Sequence, residues 1–290
     1  MKKIFYSILV FLLILLNFST VCADDVDNEV DFEDTIEVTA SNVSELPKTN
    51  SRRYIVYDRI SKSMIIGKNE DIKSAMASTT KIMTTIVILE KADLNETVTV
   101  SAKAGGTGGS RLGLKRGDKA SVRDLLYGLM LRSGNDAAVA LAEHVGGSVK
   151  EFAELMNEKA IELGLTNTHF VTPHGLDDAN HYTTALELAK LTDYAMNNET
   201  FSKIVGTKSI TIYINNQPRQ INNTNELLGV LNGVVGVKTG FTNNAGRCLV
   251  TETKRNNMDI ITIVLTVGGR TFVGMNNISQ YLSEKYNYNP

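Results

Sequence analysis

The chain has 290 residues, 42% of them hydrophobic and 21% charged, with a formal net charge of −2. That length allows one large globular domain or two small ones, and the near-neutral balance gives no electrostatic reason to expect a nucleic-acid partner. No basic amphipathic stretch points to membrane-surface binding either.

Lys2 and Lys3 precede an unbroken apolar run, Ile8 to Leu16, which a small residue, Ala23, closes off. This is the grammar of an export signal, and the run falls well short of the roughly 20 residues a membrane span needs. Residues 1–23 are therefore expected to be a signal peptide cleaved after Ala23. The competing reading is an uncleaved anchor; a lipid attachment at Cys22 is disfavoured by the bulky Val21. Cys22 leaves with the signal, so Cys248 has no partner for an internal disulfide. Its apolar neighbours Leu249 and Val250 read as those of a buried structural thiol.

Residues 24–37 carry eight acidic side chains and no basic one, so residues 24–50 read as a solvated, flexible tether. Residues 51–290 form the expected folded domain. Tyr54 to Tyr57 and Ser63 to Ile66, around the polar Asp58 to Lys62, predict a hairpin. Thr79 to Ile88 is rich in β-branched residues, which favours a strand, yet Ile82, Ile86 and Leu89 share a helical face. A helix is expected, since it alone brings Ser78 and Lys81 to one face about a turn apart.

Helices follow through the middle of the chain. Val122, Leu125, Leu126 and Leu129 have one-face spacing, Asp136 to Val145 is alanine-rich, Phe152, Leu155 and Met156 lead to a capping Gly164, and Leu188, Leu191 and Ala195 repeat the pattern. Val234 to Thr239, Arg247 to Thr253 and Ile260 to Val267 predict consecutive antiparallel strands, punctuated by Asn243 to Gly246 and by Asn256-Asn257. A last helix is expected over Thr271 to Tyr286. The fold class is then α/β: one antiparallel sheet built from both chain ends, an all-helical lobe, and a cleft between them.

Three motifs occur once each and in order: Ser78-Thr79-Thr80-Lys81, Ser133-Gly134-Asn135 and Lys238-Thr239-Gly240. Separately they could be a helix cap, a turn and a strand end. Together they supply a nucleophilic hydroxyl beside an amine, a second hydroxyl beside an amide, and a cationic strand end, the equipment of an acyl-transferring serine enzyme. Lys81 can take the Ser78 proton only when neutral, which burial and a second cation such as Lys238 would favour. Ser133 would relay the proton, Asn135 would orient a substrate amide, and Lys238 with Thr239 would hold an anion. Gly240 would let substrate lie along the strand. No histidine pair has metal-ligand spacing, so neither a metal nor a cofactor is expected. A Ser-His-Asp arrangement needs no sequence proximity and stays open, with His144, His169, His174 and His181 as candidates.

The longer segments around these motifs resemble the low-molecular-mass penicillin-binding proteins, the D-alanyl-D-alanine carboxypeptidases of the S11 serine peptidase family. The similarity is carried by Ala77 to Thr84, Gly113 to Asp118, Leu131 to Ala138, Asn167 to Leu176 and Gly236 to Thr242, and it spans roughly residues 54–270. It implies a β-lactamase/transpeptidase-like fold and a two-step acyl transfer. Ser78 attacks the bond between two terminal D-alanines of a peptidoglycan stem peptide, and water then releases the shortened peptide. It further implies an oxyanion hole from the backbone N–H groups of Ser78 and Phe241, a carboxylate site at Lys238 and Thr239 aided by Arg270, and β-lactams as covalent inhibitors. The chain ends at Pro290, so neither a second domain nor a C-terminal membrane anchor is expected, and any attachment would come from the N-terminal segment. Competing readings share the site: a D,D-endopeptidase or transpeptidase, a serine β-lactamase with Glu162 as a near miss for its water-activating residue, or a wall protein that binds penicillin without turnover.

Overall fold

The structure, a computed structural model, describes residues 51–255 and 257–267. The expected signal peptide, the acidic tether, the final helix and Arg270 lie outside the described residues.

β-Branched and aromatic residues carry the chain through β1 (Ser51–Asp58) and back through β2 (Ser63–Lys68), the expected hairpin. The other strands of this sheet come from the far end of the sequence: β7 (Val234–Thr242), β8 (Gly246–Arg255) and β9 (Met258–Val267). All five pair antiparallel in the order β2-β1-β9-β8-β7, with Tyr54 opposite Val264 where the two ends meet. Side chains alternate between the faces. Ile55, Tyr57, Val250, Ile261 and Ile263 point into the main core shared with the helices, while Tyr54, Val56, Leu249 and Val264 form a second cluster under Leu227.

The helices are inserted between β2 and β7. Ala77–Thr80 is a single 3-10 turn leading straight into α1 (Lys81–Lys91), so Ser78 sits on that turn, just ahead of the expected α-helix. Packing overrides the β-branched propensity, because every residue from Lys81 to Ile88 is buried. A short ladder, β3 (Thr97–Thr99) with β4 (Lys119–Ser121), flanks the small helix α2 (Ala102–Gly106). Then come α3 (Val122–Leu131), α4 (Asn135–Gly146), α5 (Val149–Glu162), α6 (Ala185–Met196) and α7 (Glu199–Val205). Gly164, at φ 68°, follows the end of α5 in the left-handed conformation that its sequence position predicts.

Most of these helices begin on a side-chain cap. Ser101, Ser121, Ser148, Thr184 and Asn198 each accept the N–H three residues on. The exceptions are α1 and α4, whose N-cap residues Thr80 and Gly134 make no such bond. Those two helix starts carry the first two motifs.

One hairpin was absent from the sequence reading: β5 (Ser209–Ile214) and β6 (Gln217–Asn222), joined by Asn215 and Asn216 at φ 53° and 59°. The sheet is locked onto α6 by the buried Arg59, which donates to Asp193 Oδ1 (2.9 Å), Asn197 Oδ1 (2.8 Å), Asp259 Oδ2 (2.9 Å) and Glu252.

Candidate active site

The three motifs converge where the 3-10 turn, the start of α4 and strand β7 meet. β7 is an edge strand of the five-stranded sheet, so one side of Lys238 to Gly240 faces the helical lobe without an intervening strand. Gly240 fits closely there: a Cβ at that position would stand 3.0 Å from both Ala77 Cβ and the Ser78 nitrogen. A second glycine packs still more tightly on the nucleophile turn. Gly175, at φ 85°, leaves no room for a side chain, since its Cβ would fall 1.9 Å from the Ala77 carbonyl. Ala77 itself has φ 48° and Ser133 has φ 55°, a sparsely populated conformation for residues other than glycine. Two of the site's tightest bends thus fall next to, or on, a candidate catalytic residue.

Within the buried stretch Met76 to Lys81, Ser78 is the residue that keeps partial exposure. Lys81 Nζ lies 2.9 Å from Ser78 Oγ, 2.8 Å from Asn135 Oδ1 and 2.9 Å from the His174 carbonyl. The Asn135 amide is oriented without ambiguity, because its Nδ2 donates to the Gly108 carbonyl at 2.8 Å. Lys238 Nζ donates to Ser133 Oγ at 3.1 Å and to the Thr239 carbonyl at 2.8 Å. Thr239 Oγ1 is 3.0 Å from Thr224 Oγ1.

Both lysines are buried and take only neutral oxygens as hydrogen-bond partners, although the Asp136 carboxylate lies close enough to Lys81 to favour its charged form. Burial first, and the Lys238 charge second, hold the Lys81 ammonium well below its ordinary range. Burial alone pushes Lys238 down to about 7. A neutral Lys81 fits its three partners. Two of them, the Asn135 and His174 carbonyl oxygens, can only accept, so they take its two N–H groups. The lone pair is left facing the Ser78 hydroxyl, which donates to it.

The histidines are occupied elsewhere. His181 Nδ1 accepts from the Val171 N–H at 2.9 Å, so its proton is on Nε2, which donates to Thr80 Oγ1 at 2.8 Å. His174 Nδ1 accepts from the Leu176 N–H at 3.2 Å. Burial lowers the two rings to about 4 and about 3 respectively, which keeps them neutral. His144 pairs with Glu96, and His169 donates to the Asn180 carbonyl. Among the described residues none bonds to Ser78, so the histidine-triad reading has no geometry behind it. Glu162 ends α5, 60% exposed and paired with Lys159, and is no part of the cleft wall. Cys248 is buried, and desolvation raises its thiol to about 12, which makes it an inert wall residue.

The resulting cleft encloses about 290 Å³ and is lined by Ser78, Ser133, Thr239, Gly240 and Phe241 together with residues that sequence reasoning passed over, chiefly Ser110, Arg132, Thr224, Glu226 and Arg247. Asp136 was passed over too. Fully buried, it accepts the N–H groups of Leu112 (2.8 Å), Gly113 (2.7 Å) and Leu114 (2.9 Å), and so pins the loop that supplies Gly108 and Ser110. The contributions of Gly108 and His174 come from backbone carbonyls, which leave no mark in side-chain patterns. The only signal for Asp136 was its place in the first turn of a helix.

A family model described as D-alanyl-D-alanine carboxypeptidase, of the S11 peptidases, matches residues 39–269. The D-alanyl-D-alanine carboxypeptidase DacF of Bacillus subtilis (strain 168) is 38% identical over 216 residues, covering 72% of this chain and 56% of its own, so the chain spans little more than half the length of that relative. A D-alanyl-D-alanine carboxypeptidase of Streptomyces sp. (strain K15) is 39% identical over 216 residues, covering 68% of this chain and 74% of its own. The crystal structure of the Streptomyces K15 DD-transpeptidase superposes with a TM-score of 0.76 at 33% identity, covering 84% of this chain and 98% of the other.

Proposed function

Because the chain belongs to the S11 family of D-alanyl-D-alanine carboxypeptidases, we propose that it removes the terminal D-alanine from peptidoglycan stem peptides through an acyl-enzyme on Ser78. The observation that carries this reading is the setting of Lys81: a buried amine, depressed by burial, with its Nζ within hydrogen-bond distance of two carbonyl oxygens and of the Ser78 hydroxyl.

The reaction then runs without a cofactor. Ser78 Oγ attacks the carbonyl carbon of the penultimate D-alanine while Lys81 Nζ takes the hydroxyl proton. The developing oxyanion is held by the N–H groups of Ser78 and Phe241; Phe241 follows Gly240, where a Cβ would stand 3.0 Å from the Ser78 nitrogen. The C–N bond breaks, and the proton reaches the leaving amine from Lys81 by way of Ser133. Lys81 is neutral again and can deprotonate the water that releases the shortened peptide. Lys238 and Thr239 hold the terminal carboxylate, and Asn135 orients the substrate amide. Arg270 is the remaining candidate at the carboxylate. β-Lactams acylate the same serine.

A peptidoglycan substrate places the domain outside the cytoplasmic membrane, which agrees with the export-signal grammar of residues 1–23 and with residues 24–50 as a spacer to the domain that starts at residue 51. A retained N-terminal segment would tether it. A second reading, D,D-transpeptidation, is favoured by the K15 crystal structure, described as a DD-transpeptidase. Both reactions share the acyl-enzyme and differ only in whether water or an amine accepts the acyl group. The test is to incubate the purified protein with a stem pentapeptide ending in D-Ala-D-Ala, beside a Ser78→Ala control. D-alanine release by the wild type alone supports the proposal. Penicillin labelling of Ser78 with no D-alanine release and no transfer to an added amine would sink it, and rapid destruction of penicillin would favour a β-lactamase.

A further inference from the structure

One cation on the cleft wall has no task in the reaction above. Arg132 ends α3 directly before Ser133, whose hydroxyl accepts from Lys238. On its other side, the Leu131 carbonyl accepts from the Thr224 N–H at 3.0 Å, and Thr224 Oγ1 meets Thr239 Oγ1. Arg132 is therefore rooted between the two residues that brace Lys238 and Thr239. Its exposed side chain lines the cleft and has no hydrogen-bond or ion-pair partner among the described residues. The other guanidinium on this wall is engaged, with Arg247 stacked 5.6 Å from the centre of the Phe241 ring.

An exposed guanidinium on the wall of the cleft that also holds Thr239 is free to pair with an anionic group entering it. Lys238 alone is an unreliable anion anchor. With burial pushing it down to about 7, it is only partly charged at neutral pH, whereas a guanidinium always keeps its charge. A guanidinium also presents two parallel N–H donors, which match the two oxygens of a carboxylate.

We propose that Arg132, together with Thr224, clamps the terminal carboxylate of the peptide over Lys238 and Thr239, and so makes the cleft selective for peptides with a free C-terminal carboxylate over amides and internal peptide bonds. This rests on the D,D-peptidase reading of the site and adds its specificity determinant. The clamp binds substrate in the ground state and the transition state alike, so its loss appears mainly in KM.

The test compares diacetyl-L-Lys-D-Ala-D-Ala with its C-terminal amide in the wild type, Arg132→Gln and Arg132→Lys. Arg132→Gln should lower kcat/KM for the free acid roughly tenfold or more, as expected for a lost charge-assisted hydrogen bond, and change the amide by no more than about twofold. Arg132→Lys should fall between. A melting temperature equal to wild type confirms that the exposed substitution leaves the fold alone. Equal losses on acid and amide, or no loss on the acid, overturn the proposal. If the wild type cuts neither peptide, the carboxypeptidase reading fails. The clamp is then read from acylation of Ser78 by benzylpenicillin and by its methyl ester, where Arg132→Gln must slow the acid and spare the ester. Equal slowing of both overturns it.

Discussion

Asp136→Asn should destabilise the protein by several kcal/mol while changing side-chain volume very little. The carboxylate is fully buried and serves four N–H donors: Oδ1 takes Leu112 and Ala137 (2.8 and 3.0 Å), and Oδ2 takes Gly113 and Leu114 (2.7 and 2.9 Å). An amide keeps one oxygen. Whichever way it turns, two N–H groups then face an NH₂ group that can only donate. Each buried donor left unpaired costs about 1–3 kcal/mol. Removing the negative charge from the first turn of α4 costs roughly 0.3–1 kcal/mol more. The sum is about 4 kcal/mol, or a fall in melting temperature on the order of 10 °C for a domain of this size. Urea unfolding followed by circular dichroism would measure it, with an unchanged m-value confirming a native-state effect. Activity should fall as well, because the same loop supplies the Gly108 carbonyl to the Asn135 amide and the Ser110 carbonyl to the Asn135 N–H. A loss below about 1 kcal/mol would refute the reasoning, since an unpaired buried donor cannot cost so little.

The buried histidines and Gly240 give two further expected outcomes. His174 and His181 are held at about 3 and about 4 against an ordinary 6.5, so the folded state binds fewer protons than the unfolded state below pH 6.5. Their contribution to stability is complete above 6.5 and is lost as pH falls towards 4. Linkage puts the loss between pH 7 and 4.5 on the order of 4 kcal/mol, readable as unfolding free energy across that range, and a flat profile would contradict the burial argument. Gly240→Ala would press a methyl group against Ala77 and the Ser78 nitrogen. The fold should survive with a loss of about 1–3 kcal/mol. Ser78 acylation by a fluorescent penicillin should slow at least tenfold, and an unchanged rate would mean that β7 and the nucleophile turn are not in fixed register.

The sheet was legible because its strands are short β-branched runs broken by asparagine and glycine, as in Arg247 to Thr253 between Asn243-Asn244 and Asn256-Asn257. The helices α3 to α6 were legible from one-face spacing. For Thr79 to Ile88 local propensity and function pointed opposite ways, and burial of the whole segment decided it. The β5–β6 hairpin had a signal that went unread: Ile210, Ile212 and Ile214 alternate up to Asn215-Asn216, both with positive φ, the signature of a tight hairpin turn. At the site, the motif residues could be named because their chemistry resides in side chains at fixed spacing. The groups that hold them could not. Gly108 and His174 act through carbonyls, Asp136 serves N–H groups more than 20 residues earlier, and Arg132 matters only because α3 ends beside residue 224.

Lys81 and Lys238 are amines taken out of water with neutral oxygens as their only hydrogen-bond partners. For the fold alone this is a poor arrangement: methionine in either place would fill similar volume without the desolvation penalty, leaving a sturdier but idle protein. The native molecule is least comfortable where its chemistry is done. An anion entering the cleft supplies the counter-charge that Lys238 lacks, so the bound protein should be the better-folded one, and ligand affinity and conformational stability draw on the same nitrogen atom.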